Sequence, residues 1–158
     1  MAELPDAAYD EILRLSAEGD TLADADRYLD ALEKYWAAWE LLPEPKTNWN
    51  AATWLLAAIG DAHFLDGNYD TAREHLSNAM HCPDAIGNPF FHLRLGQCQY
   101  ELGNADRAAD ELARAYMGAG YEIFSGQDPK YFTFLKTKLL PPIGGWEDEA
   151  KKPWWKLW

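Results

Sequence analysis

The chain is poor in cysteine, in basic residues and in long apolar runs, and each shortage excludes a class of protein. It has two cysteines, Cys82 and Cys98, which indicates free thiols in a reducing cytosol and not a disulfide framework. Lysine and arginine together number 14 against 26 acidic residues, for a net charge of −12. Nucleic acid is therefore excluded as a direct partner, because a phosphate backbone binds basic surface.

Membrane-spanning and exported proteins are also excluded by what is missing. No apolar run approaches the roughly 18 residues that a bilayer span requires. The first residues, Met-Ala-Glu-Leu-Pro-Asp, are acidic and lack the positive region of a secretory signal. We therefore expect a cytoplasmic protein that has no membrane partner.

Catalytic and metal-binding motifs are absent as well. There is no glycine-rich phosphate loop, no Gly-x-Ser-x-Gly and no His-Glu-x-x-His. The four histidines lack metal-ligand spacing, and His81 and Cys82, as neighbours on a helix, point apart. The many carboxylates are explained by solvated helix faces. The sequence thus predicts no enzymatic activity, no cofactor and no metal ion.

What the sequence does contain is helical periodicity from one end to the other. Apolar residues recur at helical spacing, and no segment alternates as a strand would. Asp6, Thr47 or Asn48, and Asp128 are the expected N-caps. Proline and Gly-Asn signals divide the pattern into seven expected helices, over residues 6–25, 28–42, 49–65, 69–80, 89–102, 105–117 and 130–139.

Two of these segments are copies of each other, 36 residues apart. Residues 59–72 and 95–108 both carry an apolar residue and glycine, then Gly-Asn seven residues on, then alanine after four more. A period in the mid-thirties is typical of a solenoid of stacked helical hairpins. Such solenoids usually bind other chains and do no chemistry themselves.

This pattern resembles the tetratricopeptide repeat (TPR), in which small residues lie where two helices of a hairpin cross. The middle unit carries it on Leu56, Ile59, Gly60, Tyr69, Ala72, Leu76, Ala79 and Pro83. The next unit carries it on Leu95, Gly96, Gly103, Ala108, Leu112 and Ala115. The first and most degenerate unit keeps Gly19, Tyr28, Ala31, Tyr35, Ala38 and Pro43.

The resemblance implies an all-α, right-handed TPR-like solenoid in a single domain, residues 1–140. Its three hairpins would cover about residues 6–43, 49–83 and 89–120, and an end helix about 128–140. Residues 141–158 form a tail rich in tryptophan and lysine. We expect the tail to dock on the end or the groove of the solenoid, or else to be ordered only by a partner or a second copy.

The first helices of TPR hairpins line a concave groove, and the matching residues here are the candidate partner-binding site. An aromatic centre with an acidic flank would anchor and orient a basic segment. The alternative is that the aromatic residues simply pack between units. The candidates are Asp20, Asp24, Trp54, Asp61, Phe64, Phe90, Leu93, Arg94, Gln97, Tyr100 and Glu101.

The charge distribution favours a basic protein as partner. Residues 1–45 hold twelve acids and three basic residues, a net charge of −9, although the same charge also suits a merely solvated surface. Several stretches, residues 35–46, 57–66, 81–103 and 114–135, resemble small bacterial TPR proteins encoded beside toxins. That resemblance implies an immunity protein that binds and neutralises a basic toxin. The alternative is a general TPR adaptor or a chaperone for a secreted client, and self-association through the tryptophan-rich tail is a further expectation.

Overall fold

The structure is a computed structural model that describes residues 3–147, and in that range it contains helices and no strand, as predicted. Short 3₁₀ turns at Lys46–Asn48, Ala79–His81 and Tyr121–Phe124 connect the α-helices. The seven α-helices are α1 (Asp6–Asp24), α2 (Tyr28–Glu40), α3 (Asn50–Leu65), α4 (Tyr69–Asn78), α5 (Pro89–Glu101), α6 (Ala105–Ala119) and α7 (Pro129–Lys136).

Consecutive helices pair into three hairpins that stack into a TPR-like solenoid. Helix α1 packs on α2, α3 on α4 and α5 on α6, and each hairpin meets the next through α2 against α3 and α4 against α5. Helix α3 also touches both α1 and α5, so the first helices of the three hairpins lie in a row. Helix α7 packs on α6 and covers the last hairpin.

All three hairpins turn in the same way at the end of their first helix. One residue enters the left-handed region and donates its N–H to the carbonyl three residues back, and the next residue donates to the carbonyl five residues back. The two bonds satisfy two otherwise unpaired helix carbonyls. Glycine occupies the left-handed position in two turns and Asp26 in the first. The three long-range bonds are Arg27 to Leu22 (2.9 Å), Asn68 to His63 (2.8 Å) and Asn104 to Gln99 (2.8 Å).

The helices of each hairpin cross at a glycine. A Cβ on Gly60 would lie 2.5 Å from the side chain of Leu76, and one on Gly96 would lie 2.6 Å from Leu112. Such distances are far shorter than carbon–carbon contact, so only glycine permits this approach. Fully buried alanines line the facing helices at matching positions, namely Ala31, Ala72 and Ala108, then Ala38, Ala79 and Ala115.

Helix starts follow the predictions in part. Asp128 caps α7, because its Oδ1 accepts the N–H of Lys130 at 3.0 Å. The prediction for α1 was wrong by one residue, because Pro5 is the N-cap and Asp6 begins the helix. Residues 46–48 form a 3₁₀ turn, which places neither Thr47 nor Asn48 at the start of α3 and leaves Trp49 as its N-cap.

Three helix ends were predicted slightly too late, and that of α6, at Ala119, was predicted two residues too early. Helices α2, α4 and α7 end two to three residues before the predicted positions. At the end of α2 the ammonium group of Lys46 folds back and donates to the carbonyl oxygens of Trp39 (3.1 Å) and Leu42 (2.7 Å). A cation near the last carbonyls stabilises a helix end that the preceding residues alone would leave unsatisfied.

The segment after α7 turns back onto the last hairpin. Trp146 is buried and packs edge-on against Phe132 and Tyr116, with ring centroids 5.6 and 5.7 Å apart. Residues 148–158, which include the other three tail tryptophans, lie outside the described residues. The division between a domain at 1–140 and a tail at 141–158 remains a prediction.

Candidate protein-binding groove

An open groove runs along the concave side of the first two hairpins, between α1 and α3. One part of it, about 510 Å³, is lined by Glu3, Leu4, Asp6, Tyr9, Asn48, Trp49, Asn50, Ala51 and Trp54. A second part, about 410 Å³, is lined by Leu13, Ser16, Ala17, Asp20, Tyr35, Trp54 and Ala58. Because Trp54 lines both parts, we treat them as one surface, the α1–α3 groove.

The groove combines exposed apolar side chains with negative charge. Tyr9 and Leu13 are 44% and 43% exposed, although both point along the packed side of α1 toward α3. Three carboxylates line the groove, those of Glu3, Asp6 and Asp20, and its lining includes no lysine, arginine or histidine. An apolar floor with acidic flanks suits a segment that carries both apolar and basic side chains.

The carboxylate of Asp20 is held in place by the helix behind it. The hydroxyl of Tyr35 donates to Asp20 Oδ1 at 2.7 Å, and the Tyr35 ring packs over Gly19. Burial raises the pKa of Tyr35, and the bond to Asp20 raises it further, so the hydroxyl stays protonated and remains a donor. Asp24 lies one turn further along α1 and is exposed.

Beyond the groove, a buried polar network joins α3 and α5. Arg94 donates through Nε to Asp61 at 2.5 Å and through Nη1 to the side-chain oxygens of Gln97 (2.8 Å) and Gln127 (2.7 Å). Its guanidinium also lies 4.6 Å from the centre of the Phe64 ring. Since these bonds tie α3, α5 and the turn before α7 together, the network closes the concave face at this end.

Helix α7 contacts the end of α5 through its side chains. The hydroxyl of Tyr131 donates to Glu101 at 2.7 Å, and Lys130 pairs with the same carboxylate at 2.5 Å. Burial and this bond raise the pKa of Tyr131. The Tyr131 ring packs edge-on against Tyr100 and lies 6.5 Å from that of Phe64. The first helix of the third hairpin, α5, is therefore in contact with α7 at its C-terminal end.

The predicted site residues consequently fall into two groups. Asp20, Asp24 and Trp54 lie in or beside the open groove. Phe64, Leu93, Arg94 and Gln97 are all buried, so we correct the expectation that they offer surface to a partner. The second group, which the structure brings together around α5 and α7, comprises Asp61, Phe64, Phe90, Leu93, Arg94, Gln97, Tyr100 and Glu101.

Most of the groove lining was absent from the predicted site, and Tyr9 and Trp49 are two of its large aromatic members. Tyr9 lies four and eight residues before Leu13 and Ala17, a spacing that places all three on one face of a helix. The spacing in the sequence could therefore have predicted that Tyr9 lines the same face as Leu13. Trp49 carried none, because its position depends on the turn at residues 46–48 and on its indole N–H, which donates to the carbonyl of Pro43 at 2.8 Å.

The histidine and cysteine side chains are arranged as structural groups. His92 uses both ring nitrogens, since Nδ1 lies 2.6 Å from Glu111 and Nε2 accepts the N–H of Gly87. Burial raises the pKa of the Cys98 thiol to about 12, which leaves it protonated. In residues 3–147 no group of three or more histidine, cysteine, aspartate or glutamate side chains is placed to hold a metal ion. Nor is any helix of that range long and apolar enough to cross a bilayer.

Solved structures with the same architecture come from several organisms. The type III secretion chaperone SycD of Yersinia enterocolitica, in complex with a peptide of the translocator YopD, matches with a TM-score of 0.66 at 18% identity, over 84% of this chain and 95% of that one. The C-terminal TPR-containing domain of a putative FK506-binding protein of Plasmodium falciparum matches with a TM-score of 0.66 at 14% identity, over 85% and 91%. The chain has the TPR fold.

A third TPR structure, PcrH of Pseudomonas aeruginosa, matches with a TM-score of 0.63 at 20% identity, over 85% of this chain and 94% of that one. PcrH has also been solved in complex with the chaperone-binding region of PopD. No protein-family model and no curated protein sequence matches the chain. The TPR likeness is therefore a likeness of structure.

Proposed function

We propose that this TPR protein is a non-catalytic chaperone or adaptor that binds an extended segment of a client protein in the α1–α3 groove. The observation that carries the proposal is an open surface on which apolar side chains surround Trp54 and three carboxylates stand beside them. The segment it fits is basic and apolar. Support comes from SycD and PcrH, which share the fold and were solved with a peptide of the translocator YopD and with the chaperone-binding region of PopD, respectively.

Each part of the groove has a distinct role in this proposal. The indole of Trp54 is the central anchor, because large aromatic side chains dominate the energetics of protein interfaces. The carboxylates of Glu3, Asp6 and Asp20 orient basic side chains and speed their approach. Asp20 does so from a fixed position, since Tyr35 holds it.

The toxin-neutralising role expected from the second sequence resemblance has less support. The acidic first hairpin suits a basic toxin as well as a basic client. Structures that share the fold, however, include the type III secretion chaperone SycD and the TPR domains of an FK506-binding protein and of human RPAP3. We therefore favour the client-binding role, and a folded toxin as partner becomes an outcome of the test.

The test is a peptide array probed with the full chain. Overlapping segments of about 15 residues from unrelated proteins are screened, and binding to many basic, apolar segments is expected. Trp54→Ala and Leu13→Ala should each weaken binding about tenfold, the effect of truncating a central anchor. Leu29→Ala is the matched control, because Leu29 is 69% exposed on α2 and does not line the groove.

Two results would contradict the proposal. If no peptide binds at all, the groove does not take extended segments, and a folded partner such as a toxin becomes the better hypothesis. If Leu29→Ala weakens binding as much as Leu13→Ala does, the segments bind elsewhere on the surface.

A further inference from the structure

The chain carries its own chemical complement to the groove. Residues 151–158 read Lys-Lys-Pro-Trp-Trp-Lys-Leu-Trp, with three lysines, three tryptophans and no acid. The groove lining has the opposite character, with three carboxylates, exposed apolar side chains and no basic group. A segment of this composition belongs to the class of ligand that the groove fits.

We propose that residues 151–158 occupy the α1–α3 groove of their own chain and that a client must displace them. The inference rests on the proposed function, because it assigns an occupant to the same groove. The tail acts as an internal competitor. It also defines the client, which must present lysine or arginine beside tryptophan or other large apolar side chains in order to compete.

The tail leaves the solenoid beside α7, and α7 approaches α3, one of the two helices that line the groove. Trp146 is fixed against Phe132 of α7, and the neighbouring Tyr131 lies with its ring 6.5 Å from that of Phe64 in α3. Ala58, in the groove, precedes Phe64 by six residues, or about 9 Å of helix. The eleven residues after Glu147 extend to about 36 Å in all. The first of them would cross from α7 past Phe64 to Ala58, so the C-terminal part of the tail, with Trp154, Trp155 and Trp158, is the part that reaches the groove.

Attachment also makes a weak ligand effective. A ligand on a short flexible connection reaches an effective concentration on the order of 1 mM. If the isolated tail segment binds with a dissociation constant of about 0.1 mM, the attached segment occupies the groove about nine-tenths of the time. A competing peptide then binds about tenfold more weakly than it would to an open groove.

The experiment measures this competition in the full chain. The probe is a fluorescein-labelled synthetic peptide with the sequence of residues 150–158, and its binding is followed by fluorescence anisotropy. Replacing the three tail tryptophans with alanine (W154A/W155A/W158A) should tighten probe binding about tenfold. A second variant, K151E/K152E/K156E, should also tighten probe binding, because its carboxylates are repelled by those of the groove. Circular dichroism checks that both variants fold.

A matched pair of charge-neutralising variants tests where the probe binds. In the W154A/W155A/W158A background, Asp20→Asn removes one charge from the groove and should weaken probe binding. Asp110→Asn removes one charge from an exposed position on α6, away from the groove, and should leave probe binding unchanged.

Each of the other outcomes overturns the inference without ambiguity. If wild type and both tail variants bind the probe equally while Asp20→Asn weakens it, the groove works as proposed but the tail does not occupy it. If no variant binds the probe although array peptides bind, the tail is not a ligand and the proposed function stands. If wild type is dimeric by light scattering and W154A/W155A/W158A is monomeric, the tail occupies the groove of a second copy.

Discussion

Glycine at the crossing point of a hairpin decides how closely two helices pack. Gly60 faces Leu76 and Gly96 faces Leu112, and in each case a Cβ would overlap the leucine side chain. Both leucines are fully buried, so they have little room to move away. The tight crossing is therefore a property of single residues, and it recurs at each hairpin.

Gly60→Ala tests this at the residue scale. Overpacking a tight contact typically costs about 1–3 kcal/mol, and we expect a loss of stability in that range by urea unfolding. Gly126→Ala is the control, because a Cβ there meets nothing within 4 Å and the backbone has no positive φ. Equal free energies of unfolding for Gly60→Ala and wild type would show that α3 and α4 can move apart without loss of stability.

Helix α5 begins with a side-chain cap that α4 lacks. The side chain of Asn88 accepts the N–H of Phe90 at 3.0 Å, and Pro89 follows as the first helical residue. Asn68 stands at the same position before α4 but makes no side-chain bond to the helix. Two N-cap asparagines, one before the first helix of a hairpin and one before a second helix, thus contribute differently.

Asn88→Ala should lower the free energy of unfolding by about 1 kcal/mol, the usual cost of losing an N-cap. Asn68→Ala should cost a few tenths of that, because no cap is lost. Chemical denaturation of the two variants measures the difference. Equal losses would show that the asparagines act through the turn backbone and not through the cap.

The middle hairpin contains a pair of histidines that resist protonation. The rings of His63 and His75 stack with centroids 5.5 Å apart, and Trp36 packs edge-on against His75. Burial lowers the pKa of both, and for His63 the neighbouring His75 lowers it further, against small opposing effects of Asp66 and Glu74. The folded chain therefore keeps both rings neutral.

This pair makes the stability of the fold sensitive to acid. Because the unfolded chain takes up protons near the ordinary histidine pKa of 6.5 and the folded chain does not, stability is full above that pH and falls as pH drops below it. Thermal unfolding at pH 7.5 and 5.5 should show a smaller acid-induced loss for His63→Gln/His75→Gln than for wild type. His81→Gln, at an exposed position, should lose as much as wild type.

At the scale of the whole molecule, negative charge is concentrated in the first hairpin. Residues 1–45 carry a net charge of −9 out of −12, and the α1–α3 groove lies on that hairpin. Basic ligands are therefore attracted over a distance of about one Debye length, roughly 10 Å at 0.1 M salt. Charge selects the ligand, and the apolar groove retains it.

Raising the salt concentration from 0.05 to 0.5 M should weaken binding of the lysine-containing tail probe several-fold, because exposed charges are screened. A probe with glutamine in place of its three lysines should bind more weakly at low salt and change little. Titrations of the W154A/W155A/W158A variant measure both. An equal salt response for the two probes would show that the carboxylates do not contribute.

The sequence carried enough information for the fold but not for the whole site. Gly60, Gly96 and the alanines opposite them recur at fixed spacing, so three hairpins were predictable from local pattern alone. The covering of the third hairpin was not, because the bonds of Gln127 and Tyr131 to α5 join residues about 30 positions apart and leave no periodic trace. The first turn was also predicted, at residues 26–27, and there Asp26 takes the left-handed position that glycine takes in the other two turns.

The two buried cysteine thiols allow the unfolding of the solenoid to be followed by the rate at which each thiol is alkylated. Cys82 follows α4 and Cys98 lies within α5, and burial raises the pKa of both. Alkylation requires an exposed thiolate, so each cysteine reacts only when its own hairpin opens. If repeats unravel one by one from an end, the two labelling rates differ, whereas a chain that unfolds in a single step labels both together.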